Sequence, residues 1–178
     1  MRYNKIRTMD ISNGEGVRVS LFVQGCSFHC KGCFNSEAWD FQGGKEFTDE
    51  TLKTLLDLCD KDYIEGLSIL GGEPMHPTNR ETVVDIMRAF KFRYPKKTIW
   101  MWTGYTIEHL LEDQQHDGDI QSMLIYLDYL VDGQFIEEKK NLKLKWAGSE
   151  NQRLIDIQES MRQERLVTLP MLEADKND

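Results

Sequence analysis

Short apolar strands that each run into a polar, glycine-bearing turn punctuate the chain, with helix-like segments between them. Residues 17–23 are rich in β-branched side chains and place Val17, Val19, Leu21 and Val23 on one face, as a strand does. Leu67-Ser68-Ile69-Leu70 ends in Gly71-Gly72, Ile99-Trp100-Met101-Trp102 in Thr103-Gly104, and Tyr129-Leu130-Val131 in Asp132-Gly133. Thr48 predicts a helix N-cap ahead of Asp49 and Glu50, and Leu52, Leu55, Leu56 and Cys59 follow at helical spacing. Val83, Ile86, Met87 and Phe90 mark a second amphipathic helix, which must stop near Tyr94 because Pro95 follows. Ile107, Leu110 and Leu111 predict a third helix. Leu142, Leu144 and Trp146 alternate with Lys143 and Lys145, the pattern of a half-exposed strand. Such alternation predicts an α/β fold of right-handed βαβ units on a mostly parallel sheet. The polar turns then share the rim beyond the C-terminal strand ends, where the active sites of parallel α/β sheets form.

Charge narrows the partners. Against 22 Lys and Arg stand 30 Asp and Glu, a net charge of −8 in 178 residues. Nucleic-acid surfaces are held by clustered Lys and Arg, so no nucleic-acid partner is expected. With 40% hydrophobic residues and only 4 Pro, the chain is neither disordered nor of low complexity. No apolar run approaches the roughly 20 residues of a membrane helix, and the first ten residues lack a signal-peptide stretch. The expectation is a cytoplasmic protein without a membrane partner, one domain over 1–172, and a frayed tail at 173–178.

Of the four cysteines, Cys26, Cys30 and Cys33 fall within eight residues, too local to staple a fold of this size. Three thiolates on one loop suit three irons of a four-iron cluster and leave the fourth iron without a protein ligand. A structural zinc site asks for four protein ligands. Its fourth would be His29, Cys59 or a distant His. His29 abuts Cys30, an awkward spacing for chelating one ion, and Cys59 is accounted for on the apolar face of its helix. Ligand count favours the open cluster.

Seven segments carry a likeness: Asn13-Gly14-Glu15-Gly16-Val17-Arg18, Leu21-Phe22-Val23-Gln24-Gly25-Cys26, Gly32-Cys33-Phe34-Asn35, Gly71-Gly72-Glu73-Pro74-Met75-His76-Pro77, Trp102-Thr103-Gly104-Tyr105, Val131-Asp132-Gly133-Gln134-Phe135 and Gly148-Ser149-Glu150-Asn151-Gln152-Arg153. The cysteine spacing, with the Gly-Gly-Glu-Pro turn after the next strand, resembles the radical S-adenosylmethionine superfamily. The later segments, 148–153 above all, make the chain similar to the anaerobic ribonucleoside-triphosphate reductase activating proteins.

That resemblance implies a single-domain partial (β/α) barrel. It implies one [4Fe-4S] cluster on Cys26, Cys30 and Cys33, with S-adenosylmethionine chelating the open iron. Gly71, Gly72 and Glu73 would meet the methionine amino group, since glycine admits close backbone approach and a carboxylate suits an ammonium. Gly32, Cys33 and Phe34 would lie beside the adenine. Many superfamily members have an aromatic residue just before the third cysteine. Here Gly32 stands there, as in the activating-protein group, which points to a backbone contact. The implied enzyme is an oxidoreductase fed one electron by a flavodoxin-like donor. It cleaves S-adenosylmethionine reductively, and the 5′-deoxyadenosyl radical takes hydrogen from a backbone glycine of the anaerobic reductase, its protein substrate. No catalytic residue is implied beyond cluster and cofactor. Two other readings remain: an activase of another glycyl-radical enzyme, and a non-catalytic iron–sulfur electron carrier, which asks for four cysteine ligands.

Other residues read both ways. Thr103 and Tyr105 suit either a nucleoside contact or a plain turn, and Asp132 either a ribose hydroxyl or an Asp-Gly turn. Trp100 and Trp102, alternating with Ile99 and Met101, suit core packing, while His76 and His109 suit structural roles. Lys139, Lys140, Lys143 and Lys145 form a solvated face or a docking patch. No Walker loop, nucleophile elbow or zinc-protease helix is present in the sequence.

Overall fold

The computed structural model describes residues 1–113, 115 and 117–172, so the tail 173–178 lies outside the described residues. Among the described residues, eight strands form one sheet: β1 (Arg2–Asp10), β2 (Arg18–Val23), β3 (Lys45–Glu46), β4 (Gly66–Gly71), β5 (Thr98–Trp102), β6 (Tyr129–Asp132), β7 (Arg153–Asp156) and β8 (Thr168–Leu169). Five α-helices accompany them: α1 (Asp49–Leu58), α2 (Pro77–Arg93), α3 (Ile107–Asp113), α4 (Gly118–Tyr126) and α5 (Ile157–Gln163). The strand order is β3-β1-β2-β4-β5-β6-β7-β8. β2, β4, β5 and β6 run parallel, in register from Val19 opposite Leu67 to Trp102 opposite Val131. The flanking strands pair antiparallel on both sides. The parallel βαβ expectation thus holds for the centre of the sheet. β3 and β8 stand at its two ends, so the sheet is open.

Side-chain alternation divides the two faces. Val19, Leu21, Val23, Leu67, Ile69, Ile99, Met101, Leu130 and Ile155 pack with Leu55, Val83, Met87, Phe90, Leu110, Met123 and Ile157 of the helices in the main core. Residues of opposite parity, Trp100, Val131 and Leu154, form a smaller cluster joined by Trp102, Tyr129 and Trp146. All five helices therefore cover one face, and loops cover the other. Burial on both faces explains why every residue of β2 is buried. Val17 lies one residue outside the strand and is half-buried, yet it packs against the same main core as Val19, Leu21 and Val23, as the shared face expected for 17–23 requires.

Local signals set the helix ends. Thr48 caps α1 by accepting from the Thr51 N–H. Pro77 opens α2 behind His76, whose Nδ1 accepts from Thr78 N–H, and the helix ends at Arg93, capped by Tyr94 ahead of Pro95. The strand expected at 142–146 is absent. That stretch is a loop in which Asn141 Oδ1 accepts from Lys143 N–H, Leu142 is 81% exposed, and Trp146 adopts a left-handed φ of 63° that no strand contains. No helix among the described residues is long and apolar enough to cross a membrane.

Candidate functional site

The cysteine loop begins where β2 ends, and backbone bonds fold it onto itself. Gly25 N–H donates to Ala38 O at 2.8 Å and Cys26 N–H to Trp39 O at 3.0 Å. Gln24 Nε2 donates to Glu37 O and Asp40 O, tying the far half of the excursion to the strand end. Gly25 has a φ of 94°, and a Cβ there would meet the Phe41 ring at 2.3 Å, so only glycine fits. His29 and Gly32 also take left-handed backbone, between the cysteines, and Cys33 N–H closes onto Cys30 O at 3.1 Å.

Cys26, Cys30, Cys33, Phe34, Gly71, Gly72 and Glu73 line one cavity of about 510 Å³. That volume lies in the roughly 300–1,000 Å³ range of small-molecule sites. Gly32 is the one cofactor candidate outside the lining; a Cβ there would meet the Glu137 carboxylate. Burial pushes the Cys26 and Cys30 thiols up, opposed by backbone N–H groups of Phe28 and His29 at Cys26 and of Phe135 at Cys30. Cys33 Sγ accepts from Asn35 N–H at 3.4 Å. These donors suit thiolates held by a metal, which deprotonates its ligands on binding. The His29 ring stacks on Trp39 with centroids 4.7 Å apart. Among the described residues, no three His, Cys, Asp or Glu form a group fit for a single ion. A zinc ion requires such convergence, whereas thiolates on separate irons need only share a cavity. Cys59 sits fully buried in the main core, its thiol pushed up to about 12 by burial.

Glu73 organises the turns around the cavity. Its Oε1 accepts from Met75 N–H and from the Thr103 hydroxyl, both at 2.8 Å, and Oε2 accepts from Gly104 N–H at 2.7 Å. The residue is 1% exposed, and burial pushes its carboxyl up to about 7 against the pull of those donors. Gly72 leans on the cysteine loop itself, because a Cβ there would lie 2.5 Å from Gly25 O.

Other rim residues have side chains engaged within the fold. Asp132 is buried; its Oδ2 accepts from Ile107 N–H at the start of α3, and both oxygens bind Arg153. Tyr105 packs edge-on against Phe28 and stacks on His109. Segment 133–153 closes the loop-covered side. Gln152 Oε1 accepts from the Gly148 and Ser149 N–H groups while Nε2 donates to Gly133 O. Composition hid this role, although 148–153 is one of the segments of likeness. Trp39, Phe28, Phe135 and Asn13 also line the cavity, and residue chemistry alone does not single them out in the sequence. Asn13 and Phe135 belong to the segments of likeness, whereas Phe28 and Trp39 have only proximity to the cysteine motif as a signal.

Residues 12–155 match a family described as a 4Fe-4S single cluster domain. Over 156 residues, 86% of its length, the chain is 42% identical to a protein of Enterobacteria phage T4 named anaerobic ribonucleoside-triphosphate reductase-activating protein, covering 93% of it. A protein of the same name from Vibrio cholerae is 42% identical over 154 residues, 85% of this chain and 96% of the relative. The one from Escherichia coli K12 is 36% identical over 156 residues, again 85% and 96%.

Proposed function

Since the chain belongs to the family of anaerobic ribonucleoside-triphosphate reductase-activating proteins, we propose that it is the radical S-adenosylmethionine activase of such a reductase. In this reading Cys26, Cys30 and Cys33 hold the [4Fe-4S] cluster, and S-adenosylmethionine occupies the rest of the cavity. The observation that carries it is the meeting of the three thiols with Gly71, Gly72 and Glu73 in one cavity. When bound, cluster and cofactor would supply one-electron reductive cleavage of a sulfonium carbon–sulfur bond, the chemistry needed to remove a hydrogen atom from a glycine of the reductase.

The chain's own residues position and shield. Backbone N–H groups of the cysteine loop and of Phe135 face the thiolates, stabilising their charge. Glu73 joins the turns after β4 and β5, so the glycine backbone that would meet the methionine moiety is held rigid. Gly32, Cys33 and Phe34 remain the adenine candidates; Phe34 and Cys33 line the cavity, and Gly32 would act through its backbone. The segment clamped by Gln152 screens the loop-covered face from water. We further propose that the open sheet curls as a partial (β/α) barrel around this cavity, that a flavodoxin-like protein donates the electron, and that the protein works in the cytoplasm, where thiols stay reduced.

The test is the electron paramagnetic resonance spectrum of the reduced, reconstituted protein with and without S-adenosylmethionine. Coordination at an open iron predicts a changed spectrum on addition. An unchanged spectrum, with full iron content, contradicts cofactor binding at the cluster.

A further inference from the structure

The loop 139–150 sets three lysines beside the cysteine loop. Lys139, Lys140 and Lys143 are exposed, and among the described residues none of them has an ion-pair partner. The acids of the same stretch are turned elsewhere: Glu137 and Glu138 pair with Lys31, and Glu150 Oε1 accepts from Asn141 Nδ2. Backbone contacts hold the lysines in place. Lys140 forms a β-bridge with Ser149, and Asn141 N–H donates to Gly148 O at 3.1 Å. Gly148 in turn lies so close to Phe34 that a Cβ there would stand 3.0 Å from its ring. Lys140 Nζ is 5.0 Å from the centroid of that ring. Phe34 follows Cys33 directly, lines the cavity and is still 57% exposed, and Leu142, between the lysines, is exposed as well. A lysine-flanked apolar surface thus reaches solvent one residue away from the Cys33 thiol.

We propose that Lys139, Lys140 and Lys143, with Phe34 and Leu142, form the docking surface for an acidic, flavin-bearing one-electron donor protein. The proposal rests on the reading that Cys26, Cys30 and Cys33 hold the cluster. Location separates this partner from the reductase. A glycine that gives up hydrogen has to enter the cavity, whereas an electron needs only a donor held close against the cavity wall. The chain carries a net charge of −8, so an acidic partner is repelled by the molecule as a whole. A local cluster of unpaired cations then fixes where it lands. Exposed lysines around a small apolar centre suit fast, weak, salt-sensitive association, as a carrier that must leave after each transfer requires. In that transfer the donor's reduced flavin loses one electron and the oxidised cluster gains it, with no bond made or broken between the two proteins.

Lys139→Gln combined with Lys143→Gln removes two charges and leaves Lys140 on the Phe34 ring; adding Lys140→Gln removes the third. Each reconstituted protein is assayed for iron, and for S-adenosylmethionine cleavage and glycyl-radical yield on the reductase with dithionite as reductant. Reduction by fully reduced flavodoxin is followed by stopped flow at several ionic strengths, and affinity for oxidised flavodoxin by calorimetry. The expected result is full iron and unchanged reactions with dithionite, while reduction by flavodoxin slows about tenfold at low salt and binding weakens in step. The wild-type rate should fall as salt is added, and the variants' rates should change far less. Wild-type binding, reduction rate and salt dependence in the triple variant overturn the proposal. So does normal reduction by flavodoxin joined to loss of the glycyl radical under dithionite, which assigns the surface to the reductase. Should the triple variant load iron poorly, the double variant decides by the same measurements. A wild-type protein that takes up no cluster, or cleaves no cofactor with dithionite, overturns instead the reading on which the surface depends.

Discussion

Glu73 is a carboxyl enclosed by protein yet ringed by donors, and the balance between those two conditions has a measurable consequence. Burial dominates and pushes it up to about 7 from an ordinary 4.5. Between those values the native state keeps a proton that the unfolded state has released. Stability from this group is complete below about pH 4.5 and is lost as pH rises through about 7. The shift corresponds to about 3 kcal/mol. Urea unfolding of the metal-free protein across that window should show stability falling with pH more steeply in the wild type than in Glu73→Gln. Parallel slopes would contradict the assignment. The cysteines divide as cleanly. Single Ser substitutions at Cys26, Cys30 and Cys33 should each abolish iron and sulfide incorporation. Cys59→Ala should retain both and cost roughly 1–2 kcal/mol of stability, because Cys59 lies in the main core. Iron loss in the Cys59 variant together with retention in the others would reverse the ligand set.

Contacts between turns decide how the elements meet. Gly72 N–H donates to Val23 O and Glu73 N–H to Gly25 O, each at 2.8 Å, so the turn after β4 lies directly on the start of the cysteine loop. A methyl group on Gly72 would intrude on Gly25 backbone, not on a flexible side chain. Gly72→Ala is therefore expected to destabilise the protein by about 1–3 kcal/mol and to lower iron loading as well. Normal unfolding and full iron content would show that the two turns yield without consequence. From sequence alone Gly72 reads as room for a ligand, and its contact with Gly25 is invisible because it joins residues far apart in the chain. The same distinction runs through the fold. β4, β5 and β6 were legible because apolar strands ending in glycine turns are local signals, as were the Thr48 cap and the stop at Pro95. β1 was not, because an antiparallel strand near the sheet edge carries half-exposed polar side chains such as Lys5 and Arg7 and shows no apolar face. The Leu-Lys alternation at 142–146 misled for a complementary reason: its pattern is strand-like, but the isolated Lys140–Ser149 bridge and the left-handed Trp146 make it a covering loop.

At the scale of the whole molecule, the sheet separates structure from chemistry. Helices and the main core occupy one face, while the thiols, the glycine turn and the aromatic lining belong to the loop-covered side. Six of the seven short segments that carry the likeness to the activating proteins meet because strand ends gather distant loops on one rim. Segment 13–18 enters β2 at the opposite edge, where Arg18 stands opposite Gly66 and donates to Thr98 O. Asp132 shows the limit of reading such a rim residue by type, for its carboxylate is spent on Ile107 and Arg153. Segment 133–153 is the cover, and Gln152 joins its two ends. Gln152→Leu should leave the Gly133 carbonyl and the Gly148 and Ser149 N–H groups without this partner, cost about 1–3 kcal/mol, and speed proteolytic cleavage within 133–153. Unchanged cleavage would show that the clamp is dispensable. The proposed activity turns on one reaction, in which the protein is mixed anaerobically with the reductase, S-adenosylmethionine and a one-electron reductant. The expected products are a carbon-centred glycyl radical on the reductase and free 5′-deoxyadenosine, both absent with the Cys30→Ser variant. Cofactor cleavage without a radical on the reductase, or a radical undiminished by loss of Cys30, would contradict it.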